Sequence, residues 1–196
     1  MLKADEAGPD AGSPRPPEAG PSGRLGSVLA SLPVGCLDGT LTGIVEGGKQ
    51  VDTDLRRAAV VALGELGRSQ DYRDRADAGH SLAAFAEMEE AIGPLLELVL
   101  DPGDTFVTRR TAEALLRRRD RAGLTIVASA LAVANSSRSD WIHTAIVDVF
   151  SIFSDGRDKA LRLAEEMSRD TDARVALGAR QLHEILTEID PVLHPA

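Results

Sequence analysis

Aromatic side chains make up only 3% of this 196-residue chain, so its core cannot rest on rings and must be filled by Ala, Leu and Val on closely approaching elements. The single cysteine, Cys36, excludes an intramolecular disulfide. With no second Cys to complete a CxxC pair, its thiol reads as structural or incidental. No apolar run approaches the roughly 20 residues that cross a bilayer, and residues 1–23 lack the apolar core of a secretory signal. No stretch alternates with period two for long enough to be a strand. Positive charge is the scarcer sign. The 22 Lys and Arg stand against 31 Asp and Glu, a net charge of -9. That balance argues against general nucleic-acid binding, which works by neutralising phosphates. A cytoplasmic protein is expected, and the Ala, Arg and Gly bias suggests a bacterial one.

What is present is a helical hydrophobic pattern that recurs about every 33 residues, with Leu82, Leu115, Val149 and Leu182 in corresponding places. Ile142, Ala145, Ile146, Val149, Phe150 and Phe153 follow the spacing of one buried helix face. Thr108, Thr111, Ala112, Leu115 and Leu116 repeat it upstream, and Val175, Gly178, Ala179, Leu182 and Ile185 downstream. Second helices carry Ile92, Leu95, Leu96 and Val99, then Leu124, Val127, Ala128 and Leu131, then Ala160, Leu163, Ala164 and Met167. Asp104, Asp120, Asp140, Ser154 and Asp170 stand before helical runs as N-caps, each contributing about 1 kcal/mol. Pro94 is placed in a first turn, where a missing N–H is harmless. Asp101-Pro102-Gly103 and Asn135-Ser136-Ser137 read as loops.

Asp52, Arg56, Ala59, Ala62 and Leu63 resemble the first helix of a HEAT-type repeat, and residues 90–101 resemble its second helix. The C-terminal stretch from Asp170 keeps the Asp and Arg of that pattern. The resemblance covers roughly residues 50–188. It implies an all-α fold, an α-solenoid of stacked antiparallel helical hairpins in a right-handed superhelix. One departure stands out, because Asp71, Arg75, Ala78 and Leu82 repeat the motif only 19 residues after Asp52. Either the first repeat is incomplete, or residues 54–67 form a second helix whose partner lies within 25–49. Residues 1–23, rich in Pro and Gly, read as a disordered tail. Residues 24–190 then form the repeat domain and 191–196 a C-terminal tail.

The one basic concentration is Arg109, Arg110, Arg117, Arg118, Arg119 and Arg121. Arg110 and Arg117 would share a helix stripe suited to a carboxylate or phosphate. The plainer reading puts Arg117 to Arg119 in a last turn, complementing the helix dipole. Trp141 and His143, following Asp140 at the start of a helix, would extend a ligand-facing rim beside Arg109. Acidic groups gather at Glu87, Glu89, Glu90, Glu97, Asp101 and Asp104, and again at Glu165, Glu166, Asp170 and Asp172. Two acidic edges of this kind would suit a basic protein partner, against the plainer reading of solvated faces and caps. His80, His143, His183 and His194 show no metal-ligand spacing, so neither metal nor cofactor is expected. No phosphate loop or nucleophile motif appears. The expectation is a non-enzymatic protein-binding scaffold whose candidate contact residues are Arg109, Arg110, Arg117, Trp141 and His143. An acidic inhibitor or immunity-type protein is one alternative. A HEAT-like enzyme or small-ligand binder of the lyase type is another.

Overall fold

The computed structural model describes residues 40–194, with side chains from residue 51 onward. Over these residues the chain is all-helical: α1 Thr40–Leu66, α2 Tyr72–Leu82, α3 Glu89–Val99, α4 Thr105–Arg117, α5 Arg121–Leu131, α6 Ser136–Phe150, α7 Ser154–Met167 and α8 Ala173–Glu188. A 3-10 turn at Ala83–Phe85 follows α2. Among the described residues the one β feature is a bridge between Phe153 and Leu193. No described helix is long and apolar enough to cross a membrane. The expected tail at 1–23 and the thiol of Cys36 lie outside the described residues.

The expected stripes are largely the buried ones. Thr108, Thr111, Ala112, Leu115 and Leu116 are all buried in α4, as are Leu124, Val127, Ala128 and Leu131 in α5. Two members fall elsewhere. Phe153 stands just before the first residue of α7 and is 49% exposed. Ile92 is 40% exposed, because the buried face of α3 is Ala91, Leu95, Leu98 and Val99. Asp104 and Asp120 cap α4 and α5, accepting from the N–H groups of Phe106 and Gly123 at 2.8 and 2.9 Å.

The other caps are corrected. Asn135 caps α6, so Ser136 and Ser137 form its first turn and Asp140 lies inside it. Asp172, not Asp170, caps α8, and Ser154 is already the first residue of α7. Pro94 sits beyond the first turn of α3, where it removes one intrahelical bond and packs near Gly64 of α1. Arg118 and Arg119 lie past α4, with Arg119 left-handed at φ 53°.

Packing follows the chain: α2 lies on α4, α4 on α6, and α3 on α5. α1 rests on α2 and α3, the place of a second helix in such an order. It is one continuous helix from Thr40, so a separate partner helix within 40–49 is excluded, and residues 25–39 lie outside the description.

The order breaks at the end, where α8 packs chiefly on α5 and α7 and lightly on α6. Gly178 is the local cause. A Cβ there would collide with the carbonyl of Ala128, so the two backbones meet only because the side chain is absent. Residues 192 and 193, expected in a tail, instead donate from their N–H groups to the carbonyls of Ser151 and Ile152 at 3.0 and 2.8 Å.

Candidate functional site

The basic concentration is taken up mostly within the fold. Glu113 is nearly buried and faces two arginines on its own helix, Arg109 at 3.0 Å and Arg117 at 3.1 Å. Arg109 also reaches Asp148 of α6 at 2.7 Å. Arg118 binds Asp120 and Glu87 and donates to the carbonyl of Ala83 at 2.8 Å. Arg121 binds Asp170 at 2.9 Å. Of the expected contact residues, Arg110 stands apart: half-buried on α4, it has no ion-pair partner among the described residues and lines a hollow of about 180 Å³ with Phe106, Arg109 and Glu113.

Trp141 and His143 do not complete that hollow. Because α6 begins at Ser136, they lie in its second turn rather than at its start. Two positions on a helix are about 200° apart, so both are exposed but point in different directions. Trp141 shares its stripe with Asp148, seven residues on, and it is Asp148, not Trp141, that pairs with Arg109. The expected rim is therefore divided.

The two acidic edges are also largely neutralised. Glu87 pairs with Arg56 and Arg118, Glu90 with Arg57, and Glu165 with Arg169. Asp104 and Asp172 are caps. Glu89 and Glu97 have no ion-pair partner among the described residues.

Asp101 is the most enclosed carboxylate, 4% exposed. It takes Arg75 in two bonds at 2.7 and 3.2 Å, and the N–H groups of Gly103 and Asp104 at 2.9 and 2.7 Å. Burial works against its charge, but these donors outweigh burial and hold its carboxyl below the usual carboxylate range. The same balance, with burial opposed chiefly by Arg118, lowers Asp120. Glu87 is lowered by its own backbone N–H, Arg56 and Arg118 against burial.

Arginines in the first turns of three helices serve one purpose. Arg75, Arg138 and Arg174 donate to carbonyls at Ser69, at Leu100 and Asp101, and at Ser129. The carbonyls of Leu100 and Ser129 are acceptors that helix ends leave open, and those of Ser69 and Asp101 lie in the loops that follow helices. The three arginines are structural staples.

The larger concavities touch the basic run only at Arg121. A hollow of about 750 Å³ is lined by Gly93, Leu96, Glu97 and Leu100 together with Arg75 and Arg174. A second, about 410 Å³, lies between α3 and α5 and takes in Ile92, Ala122, Thr125 and Ser129. The outward face of α3 thus borders both. On the other side, Tyr72, Arg73, Asp77, Asp104 and Phe106 line a hollow of about 630 Å³. The rings of Tyr72 and Phe106 meet edge to face at 6.0 Å. Tyr72 and Phe106 were not picked out in sequence as surface, their only signal being a position off the buried stripe, and Leu96, placed on the buried stripe of its helix, is only partly buried.

No protein-family model matches the chain, and no curated protein matches it. Among solved structures, the chain is similar at 20% identity to the crystal structure of an engineered protein from the Northeast Structural Genomics Consortium, over 65% of this chain and 62% of that one. The TM-score is 0.29, and a likeness of that size carries no argument.

Proposed function

We propose that the chain is a non-enzymatic interaction protein of HEAT-like type. In this reading it is a short right-handed stack of helical hairpins, working in the cytoplasm of a bacterial cell, that holds another protein along the side formed by α3 and α5. The supporting observation is the outward face of α3. It presents Ile92, Gly93 and Leu96 between two hollows, while the apolar stripe behind it is fully used in the core.

An apolar floor with a polar margin is the composition of a protein-binding patch. Glu97 stands at that margin without an ion-pair partner among the described residues, so a basic segment of the partner suits it. The narrower form, an acidic inhibitor or immunity-type protein, rests on the net charge of -9 alone.

The test is affinity purification of the tagged full chain and of its Ile92→Glu variant from native cells at moderate salt. A stoichiometric basic partner that the variant loses, with an unchanged circular-dichroism melt, is the expected result. A partner retained by the variant would move the site off α3, and the lack of any specific partner would remove the reading.

A further inference from the structure

We infer that a second face, on the N-terminal halves of α2 and α4, is built to hold an acidic peptide segment in which carboxylates flank an apolar side chain. The face is separate from the α3–α5 side. Its centre is Phe106, half exposed and shared by two adjoining hollows, one reaching Tyr72 and Arg73, the other Arg110.

An exposed ring costs free energy in water, and here two rings are held edge to face at 6.0 Å, 37% and 50% exposed. In a chain so poor in aromatics, that places a large share of its rings on one patch of surface. Tyr and Arg are the residue types that carry binding energy when a partner covers them.

The cations give the partner its sign. Arg73 lies over the Tyr72 ring, 5.1 Å from its centroid. Arg110 stands one turn beyond Phe106, a rise of about 6 Å. Neither guanidinium has a carboxylate partner among the described residues, and each offers a planar fork that matches a carboxylate.

The other charges facing these hollows are mostly engaged. Asp104 accepts from the N–H of Phe106 at 2.8 Å. Glu113 is held between Arg109 and Arg117, and Arg109 is also tied to Asp148. Asp77 and Asp104 both face the larger hollow without an ion-pair partner among the described residues, Asp104 holding only a backbone N–H, and together they set the boundary that an acidic segment would avoid. The pattern that fits is therefore acidic, apolar, acidic, with the apolar side chain on Phe106 and a carboxylate toward each of Arg73 and Arg110.

The experiment is selection of a random 12-residue display library on the immobilised full chain, followed by fluorescence anisotropy of the enriched peptides. Enriched sequences should carry Asp or Glu on both sides of an apolar residue. They should bind at least 10-fold more weakly to the Arg73→Gln/Arg110→Gln variant and to Phe106→Ala, and unchanged to Ile92→Glu. Circular-dichroism melts of all variants should match the wild type. Enrichment of non-acidic sequences, binding to the double variant within twofold of wild type, or no enrichment would overturn the proposal. The Ile92→Glu control separates its failure from that of the α3–α5 reading.

Discussion

Asp101 shows how much one side chain can hold. It joins α2 through Arg75, and it closes its own loop through two backbone N–H groups. Asp101→Asn should cost about 3 kcal/mol at pH 7, because it leaves a nearly buried guanidinium without its charge partner. Its pH dependence follows from the lowered carboxyl. The contribution is complete above the unfolded carboxylate value of about 4 and is lost as pH falls through the lower folded value. A thermal melt series should therefore show wild type and variant converging below about pH 4. A constant gap would mean the charge is not what stabilises the loop. Leu115 is fully buried in the last turn of α4, and Leu115→Ala should destabilise by about 2 to 5 kcal/mol in urea. Gly178→Ala should cost more than the ordinary preference for Ala in helices returns, because the added methyl meets the Ala128 carbonyl. Measured stability rising instead would show that α8 can shift freely on α5.

Among the elements, α6 and α8 show where local signals compete. The first turn of α6 is Ser-Ser-Arg-Ser, with no apolar residue to mark it. It is helical because Asn135 caps it and Arg138 is drawn to the carbonyls of Leu100 and Asp101. Those carbonyls belong to another loop, so the sequence of α6 gives no sign of them, and Asp140 looks like the better cap. Before α8, Asp170 and Asp172 are both good cap residues. Asp170 is committed to Arg121 and to the N–H of Asp172, leaving Asp172 to accept from Arg174 and Val175 at 2.8 and 3.4 Å. Asp172→Ala should lower stability by about 1 kcal/mol, and Asp170→Ala should leave α8 helicity unchanged by circular dichroism. The reverse order would restore Asp170 as the cap.

Across the whole molecule, the helices differ in how many others they rest on, so protection should differ along the chain. α4 and α5 are flanked on both sides, α4 by α2, α3 and α6 and α5 by α3, α7 and α8. α1 rests mainly on α2 and α3, and Val51, Leu55 and Val61 on it are 60%, 65% and 61% exposed. Hydrogen exchange should be slowest in the middles of α4 and α5 and fastest along α1. Uniform protection across all helices would instead indicate a single cooperative unit.

The sequence by itself determined that the chain is helical and, apart from members such as Ile92 and Phe153, which faces its helices bury, because the spacing of Ala, Leu and Val at one helical period is a local property that packing only has to satisfy. It also determined that the Asp residues before α4 and α5 would cap them. Only the tertiary structure decided that α8 leaves the series to lie on α5, since that depends on Gly178 meeting a carbonyl 50 residues away in the chain. The same holds for the surface. Arg109, Arg117 and Arg118 look free in sequence and are bound by Glu113, Asp148, Asp120 and Glu87 in space. Arg73 and Arg110 look no different from them and keep their charge without a carboxylate, because an ion pair is a matter of distance, and distance is set by the fold.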